Sequence, residues 1–126
     1  MAHIETLVNG HILEIQVNRA DKHNALSPEM YLDLARALGE LNRNPELRVA
    51  LLYGEGKHFT SGVELDKWAP IFGNGKGFEV PAGEVDPFGL FGERHRKPIV
   101  MAVQGHCFSG GVEIMLNPEV RVAADD

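Results

Sequence analysis

The sequence predicts an α/β fold in which parallel strands alternate with helices. Three observations carry this prediction. Two short strands flank an Asn-Gly turn near the N-terminus, helical and strand-like segments alternate after them, and the later strands are apolar nearly throughout. Strands of that kind are typical of a parallel sheet that is covered by other elements on both faces.

The N-terminal region is predicted to form a β-hairpin followed by one long helix. Two segments of alternating apolar and polar residues flank Asn9-Gly10, a dipeptide that favours a hairpin turn with positive φ at both positions. Ser27 and Pro28 are typical of a helix start, and apolar residues at spacings of three and four extend the pattern to about Arg43. We therefore expect a hairpin that leads into an amphipathic helix.

The rest of the chain predicts three strands and two short helices. The strands are expected at 48–53, 97–103 and 120–124, and the helices at 63–68 and 112–117. Residues 70–92 contain six glycines and three prolines, too many breakers for a long regular element. We expect this segment to be a mobile excursion over the surface.

Composition excludes several classes of protein. The chain has 126 residues, of which 44% are apolar and 24% charged, as in one folded domain. Its net charge of −6 and the lack of a long basic run argue against a nucleic-acid-binding protein. No signal-peptide pattern and no apolar run near 18 residues is present, so we expect no membrane insertion. The single cysteine, Cys107, fits a cytoplasmic protein. The histidines lack metal-ligand spacing, so no metal site is expected.

Two loops share a design that suits an anionic oxygen. Residues 59–65 and 105–113 each join an apolar strand to a helix through a glycine-containing turn. Amides in the first turn of a helix have no acceptor within the helix, and glycine lets another group approach the backbone closely. Two such turns facing each other would supply a pair of N–H donors.

Glu113 is the candidate acid or base beside these donors. It follows Gly110 by about one helical turn, and its neighbours in the helix are apolar, where a carboxylate costs free energy unless it has a role. Plainer interpretations stay open at this point. The glycines can serve turn geometry alone, Glu113 can be a solvated charge, Glu64 a helix-start charge, and Cys107 a buried core residue.

Several motifs occur in a fixed order along the chain. Residues 18–26 contain Asn-Arg and then Asn-Ala-Leu, residues 59–65 read Phe-Thr-Ser-Gly-Val-Glu-Leu, and residues 97–105 are followed by Ser-Gly-Gly-Val-Glu at 109–113. This order resembles the N-terminal half of the crotonase family, the enoyl-CoA hydratase/isomerase superfamily. The resemblance implies a crotonase-like ββα spiral fold, apparently truncated, with residues 1–126 forming the N-terminal part of a single acyl-CoA-binding domain.

The resemblance also implies roles for individual residues. The N–H groups of Val63 and Gly110 match the family's oxyanion hole, which polarises a thioester carbonyl. Glu113 matches the first of the two catalytic glutamates of the hydratases. Contacts with the CoA moiety are implied for Lys22, Ala25, Ser61, Gly62, Glu64 and Leu65.

The implied function is that of an enoyl-CoA hydratase, which adds water to a 2-enoyl-CoA through an enolate stabilised in the oxyanion hole. CoA is part of the substrate, and no separate cofactor is expected. Two alternatives stand beside it: an enoyl-CoA double-bond isomerase, and a non-catalytic acyl-CoA-binding or assembly subunit. Retention of Glu113 among apolar neighbours argues against the non-catalytic subunit.

The end of the chain carries a further expectation. Residues 119–126 are predicted to be a strand that begins a new unit, and the family's second catalytic glutamate and C-terminal helices belong to a later segment. The resemblance implies a homotrimer or hexamer for the full-length protein. We therefore expect the 126-residue segment alone to associate through an uncovered sheet edge.

Overall fold

A computed structural model describes residues 2–73 and 79–125. Its elements alternate as the sequence predicts, with a short 3-10 turn at Ala20–Lys22. In chain order they are β1 (Ile4–Asn9), β2 (Ile12–Val17), α1 (Pro28–Arg43), β3 (Val49–Gly54), α2 (Leu65–Phe72), β4 (Ile99–Val103), α3 (Gly110–Met115) and β5 (Val120–Ala123).

The strands form one sheet in the order β1-β2-β3-β4-β5. The β1–β2 pair is antiparallel, and each later pair is parallel, which confirms the predicted α/β class. Helix α1 connects β2 to β3 and contributes much of the core, with Leu34 and Leu41 at most 2% exposed. They belong to one apolar cluster with inward residues of β2, β3 and β4, so α1 packs on one face of the sheet.

The hairpin is confirmed, but its turn is centred one residue later than predicted. Asn9 pairs with Ile12, so the two-residue loop is Gly10-His11. Of these residues, Gly10 alone has positive φ, at 61°. A turn with glycine at its first central position requires positive φ only there, which is why histidine is accepted at the second.

Helix α1 begins and ends where the sequence indicates. The Ser27 hydroxyl accepts the N–H of Met30 at 3.2 Å, and Pro28 is the first helical residue. The helix ends at Arg43, one residue before Asn44-Pro45. The cap and the proline stop therefore set both ends of the longest helix in the described part of the chain.

The short helices differ from their predicted bounds. Helix α2 begins at Leu65 rather than Val63, because Val63 is held in an extended bridge with Leu26. It continues through Pro70 to Phe72, since proline can keep helical φ and removes only one backbone donor. Helix α3 spans Gly110–Met115 rather than 112–117, because the carbonyl of Ser109 already accepts the N–H of Val112.

The glycine- and proline-rich segment is less detached than predicted. Val85 is 1% exposed and its N–H donates to the carbonyl of Ala35 in α1 at 3.2 Å. The next residue, Asp86, is 4% exposed. The expectation of an excursion over the surface is therefore wrong around Val85 and Asp86, whereas the mobility of the segment stays a prediction. Residues 74–78 lie outside the described residues.

The expectation of strands buried on both faces is wrong for β5. Strands β3 and β4 bury one face and half-bury the other, whereas every residue of β5 is exposed, including Val120 and Val122. Strand β5 lies at the end of the sheet and pairs only with β4. The described residues therefore leave both of its faces largely uncovered.

Candidate active site

The loops after β3 and β4 meet at one edge of the sheet, because parallel strands end at the same edge. Three backbone hydrogen bonds join them. Phe59 donates to Gln104 at 2.8 Å, Thr60 donates to His106 at 3.0 Å, and Phe108 donates to Thr60 at 3.3 Å. These bonds fix the two glycine-containing turns against each other.

The N–H of Val63 points away from the neighbouring strand segment. The N–H of Leu26 donates to Gly62 at 2.8 Å, and the carbonyl of Leu26 accepts the N–H of Glu64 at 2.9 Å. In a parallel bridge of this kind, the residue between the two partners directs its own polar groups to the other side. Among the described residues, the N–H of Val63 has no acceptor.

Gly110 brings a second amide to the same place. As the first residue of α3 it has an N–H without a helical acceptor, and residues 2–73 and 79–125 provide none elsewhere. A Cβ atom built on Gly110 would lie 2.9 Å from Cγ1 of Val63 and 3.3 Å from the ring of Phe88. The two predicted oxyanion positions are thus side by side, and a larger residue at 110 would crowd the space between them.

A cleft of about 420 Å³ opens beside these two residues. Val63, Ser109, Gly110 and Glu113 line it on the loop and α3 side. The rest of its lining is mainly apolar and aromatic: Tyr31, Leu65, Trp68, Phe72, Asp86, Phe88, Leu90 and Phe91. The cleft therefore joins a polar end, where the amides lie, to an apolar wall.

The polar groups of the aromatic wall form hydrogen bonds within the chain. The ring of Tyr31 lies 5.5 Å from that of Trp68, edge-on, and 5.0 Å from that of Phe88. Trp68 donates Nε1–H to the carbonyl of Leu26 at 2.9 Å, and the Tyr31 hydroxyl donates to Asp86 at 2.5 Å. Burial and the Asp86 carboxylate raise the pKa of Tyr31, so its hydroxyl stays protonated.

Asp86 organises one wall of the cleft, and the sequence analysis missed it. Besides the Tyr31 hydroxyl, its carboxylate accepts the N–H groups of Phe88, Leu90 and Phe91 at 2.8, 2.9 and 3.1 Å. These bonds hold the turn that presents three apolar side chains to the cleft. The available signal was Asp-Pro-Phe-Gly at 86–89, a composition typical of an Asx turn.

Glu113 lies at the cleft, but not for the reason that the sequence indicates. Its side chain is exposed, while Ile114 beside it is 3% exposed and faces the core. The argument from the cost of a carboxylate among apolar neighbours is therefore wrong, because the carboxylate is in solvent and two of those neighbours, Val112 and Leu116, are exposed as well. Within the described residues, the carboxylate of Glu113 has no hydrogen-bond or ion-pair partner, and it borders the cleft that Gly110 lines.

The residues expected to contact CoA divide into two groups. Lys22 is exposed and Ala25 is half-buried in the segment before α1. Ser61 joins this segment, because its N–H donates to the carbonyl of His23 at 2.9 Å, and Gly62 follows it as a buried residue with φ of 109°. These four positions thus lie around one pair of loops.

The carboxylate of Glu64 is engaged with its own chain. Arg19 donates to it at 2.9 Å and Lys67 lies 3.2 Å away, and the Arg19 hydrogen bond leads the interactions that lower the pKa of Glu64. The backbone of Glu64 is engaged as well, because its N–H donates to Leu26 and its carbonyl accepts the N–H groups of Lys67 and Trp68 at 3.0 and 3.1 Å. Leu65, which follows it, is 72% exposed at the start of α2.

Asn24 is a second residue whose role the sequence did not reveal. It is fully buried and adopts a left-handed φ of 57°, which asparagine tolerates better than most residues. Its side chain accepts the N–H of Arg19 at 2.7 Å and donates to the carbonyls of Glu55 and His58 at 2.8 and 2.9 Å. Asn24 therefore ties the segment before α1 to the loop after β3.

Ser109 carries backbone strain beside the candidate amide. Its φ of 54° and ψ of −115° fall in a region that favours glycine. Ser109 also packs closely on Gly62, where an added Cβ atom would lie only 2.9 Å from Cβ of Ser109. Strain of this kind is often stored where a loop must hold an unusual geometry.

We expect Ser109→Gly to raise the free energy of unfolding by about 1 kcal/mol, because relief of the strained φ exceeds the added entropy of the unfolded chain. The measurement is the urea midpoint of the full-length protein at constant m-value. Ser109→Ala keeps the strain and removes only the hydroxyl, so it should leave the midpoint nearly unchanged. A midpoint for Ser109→Gly at or below that of the alanine variant would contradict this account.

Neither a membrane span nor a metal cluster emerges from residues 2–73 and 79–125. No helix among them combines the length and apolar character needed to cross a bilayer. The same residues contain no group of three or more His, Cys, Asp or Glu arranged to hold a metal ion.

The mostly parallel sheet with its two facing strand-to-helix loops defines an α/β protein of the crotonase fold. The chain belongs to the enoyl-CoA hydratase/isomerase family, whose profile matches residues 8–126. The resemblance found in the sequence motifs is thereby confirmed.

Individual relatives include both hydratases and isomerases. The chain is 35% identical over 121 residues to mevalonyl-coenzyme A hydratase SIDH of Beauveria bassiana, covering 90% of this chain and 43% of that protein. It is 29% identical over 127 residues to the peroxisomal Delta(3,5)-Delta(2,4)-dienoyl-CoA isomerase of Arabidopsis thaliana, covering 91% and 45%.

Solved structures agree with this assignment. A probable enoyl-CoA hydratase/isomerase from Mycobacterium abscessus superposes with a TM-score of 0.90 at 34% identity, covering 97% of this chain and 47% of that one. The chain thus spans about half the length of the relatives that it matches.

Proposed function

We propose that the protein binds an acyl-CoA thioester and acts as an enoyl-CoA hydratase. The observation that carries this proposal is the position of two amides, on Val63 and Gly110, at one cleft with the carboxylate of Glu113, all three without hydrogen-bond partners among the described residues. Membership of the enoyl-CoA hydratase/isomerase family supports the substrate class. The apolar wall of the cleft suits an acyl group, which needs no polar partners.

The proposed chemistry depends on charge that develops on the thioester oxygen. Glu113 accepts a proton from water as the water oxygen bonds to the β-carbon, and the electron pair of the double bond moves toward the thioester oxygen. The amides of Val63 and Gly110 donate to that oxygen and stabilise the enolate. The proton that Glu113 has accepted then passes to the α-carbon of the enolate, which completes the addition of water and restores the carboxylate.

We assign the CoA moiety to the loops beside these amides. Lys22 offers an exposed cation for the phosphates of CoA, and Ala25, Ser61 and Gly62 lie on the two loops that meet through the Ser61–His23 hydrogen bond. Leu65 supplies an exposed apolar contact at the start of α2. CoA enters as part of the substrate, and the proposal requires no separate cofactor.

Double-bond isomerisation is the second candidate, and one observation favours it. Within the described residues that line the cleft, Glu113 has a carboxylate without a partner, while the carboxylate of Asp86 is saturated by donors. A single acid/base group can move a proton from the α-carbon to the γ-carbon of an enoyl thioester, whereas hydration uses a water molecule as well.

Assays on the full-length protein separate these activities. One arm follows the loss of the conjugated enoyl thioester when a 2-enoyl-CoA is hydrated, and the other follows its appearance from a 3-enoyl-CoA. Saturable turnover in the first arm supports the hydratase, and turnover in the second arm alone supports the isomerase. An acyl-CoA that binds without turnover in either arm would instead support a non-catalytic subunit.

The turnover assays test neither the oligomeric state nor the cellular location of the protein. We propose a homotrimer or hexamer for the full-length protein, to be tested by sedimentation equilibrium. The cytoplasmic location and the lack of nucleic-acid binding stay predictions from the sequence.

A further inference from the structure

Three histidines that are far apart in sequence meet at the two amide-bearing loops. The rings of His58 and His106 stack with their centroids 4.0 Å apart, and His23 meets His58 edge-on at 5.3 Å. Phe108 also stacks on His106, with the ring centroids 4.6 Å apart. The cluster thus joins the segment before α1, the loop after β3 and the loop after β4.

One directional contact stands out within this cluster. The backbone N–H of His106 donates to Nδ1 of His58 at 2.9 Å. The preceding residue, Gly105, has a left-handed φ of 59°, and a Cβ atom there would overlap the carbonyl oxygen of Lys57 and Nδ1 of His58. The turn at residues 104–106 is therefore packed closely on residues 57 and 58, and the chain needs glycine at position 105 to achieve this.

This contact begins a short series of bonds that ends at Gly111, the residue after Gly110. The carbonyl of His106 accepts the N–H of Thr60, and the carbonyl of Thr60 accepts the N–H of Phe108. The carbonyl of Phe108 in turn accepts the N–H of Gly111 at 2.8 Å. Of the hydrogen bonds between the described residues 54–60 and 104–108, the one to His58 depends on a titratable side chain.

We propose that His58 is a positioning residue for the second amide of the site: by accepting the N–H of His106, it holds the loop that carries Gly110 against the loop that carries Val63. The part of this inference that concerns turnover rests on the proposed function. The part that concerns the loop does not, because it follows from contacts within the chain.

The contact requires that Nδ1 of His58 be unprotonated. His58 faces His106 from the loop after β4, His23 from the segment before α1, and Lys57 from its own loop. Partial desolvation, followed by these three groups, lowers the pKa of His58. His58 therefore binds a proton at higher pH in the unfolded chain than in the folded chain. The stabilisation that it contributes is complete above the unfolded-state pKa of about 6.5, and it is lost as the pH falls through the lower pKa of the folded chain.

Two variants separate the acceptor from the ring. His58→Asn places an amide oxygen where Nδ1 stands and cannot titrate in this range, whereas His58→Leu fills the space without an acceptor. Amide hydrogen exchange of the full-length proteins at pH 7 should rise in the peptide covering 104–111 for His58→Leu. It should stay at the wild-type level for His58→Asn. Equal exchange in the wild type and His58→Leu would overturn the proposal whatever the catalytic activity.

Turnover provides the second readout. We expect His58→Leu to lower kcat about tenfold with KM little changed, because a displaced amide weakens transition-state binding. His58→Asn should keep kcat at neutral pH and lose the fall in kcat at acid pH that His58 causes in the wild type. An acid limb identical in the wild type and His58→Asn would overturn the pH-dependent part, and the absence of turnover in every protein would count against the proposed function alone.

Discussion

Replacing Glu113 by glutamine is expected to lower kcat by about 10²–10⁴-fold in the full-length protein, the usual contribution of a general acid–base group. Glutamine keeps the size and hydrogen-bonding reach of the side chain but cannot accept the proton from water. Because Glu113 is exposed and has no partner among the described residues, the substitution removes no contact that supports the fold. The measurement is steady-state turnover of a 2-enoyl-CoA, and of a 3-enoyl-CoA for the isomerase.

A matched control separates lost proton transfer from a general loss of charge. Glu29 is an exposed glutamate in the first turn of α1, and it is not part of the cleft lining. Glu29→Gln should therefore keep full turnover. Calorimetry with a saturated acyl-CoA should give the same affinity for the wild type and Glu113→Gln. Full turnover by Glu113→Gln in both assays would remove this residue from the chemistry.

The second large effect is expected from Gly110→Pro. Proline deletes the N–H that we assign to the thioester oxygen, and one oxyanion donor is typically worth roughly 2.7–4 kcal/mol in the transition state, or about 10²–10³ in kcat. Circular dichroism and a urea melt must first show a folded protein, because proline restricts the backbone conformation of the residue before it, here Ser109. In a folded variant, kcat should fall far more than the affinity for a saturated acyl-CoA.

Gly110→Ala is the control for steric crowding at this position. Its Cβ would press on Cγ1 of Val63 and on Phe88, but its N–H is retained. We expect the alanine variant to lose less turnover than the proline variant. If both lose the same amount, crowding of the cleft explains the loss and the donor role of Gly110 is contradicted.

Local patterns were enough to predict the frame of the fold. The hairpin, α1 and the parallel strands each rest on a signal within a few residues: alternation, a Ser-Pro helix start or an apolar run. Predictions failed where a distant partner decides the geometry. Val63 is extended rather than helical because Leu26, far away in sequence, binds the residues on either side of it.

The candidate site shows the same division. The positions of Val63 and Gly110 could be predicted because strand-to-helix turns with glycine leave donors unpaired, and the family motifs mark them. The role of Asp86 could not be predicted, since it depends on four hydrogen-bond donors that the tertiary fold brings to its carboxylate. His58 and His106 also gave no sequence signal, because their spacing is set by the meeting of two loops rather than by periodicity.

Glu113 marks a different limit. The sequence singled out this residue through an energetic argument that does not hold, since helix α3 turns its side chain to solvent and Ile114 to the core. A six-residue helix is too short for its buried face to be read from composition alone.

The central claim is that the amides of Val63 and Gly110 bind one thioester oxygen, and infrared spectroscopy of a labelled carbonyl tests it most directly. An unreactive acyl-CoA with ¹³C at the thioester carbonyl is bound to the full-length protein, and the ¹²C spectrum is subtracted. Two hydrogen bonds weaken the C=O bond, so the stretch should move to lower frequency on binding, and about half of that shift should disappear in folded Gly110→Pro. A carbonyl band at the frequency of the free thioester in water, or an undiminished shift in the proline variant, would contradict the account.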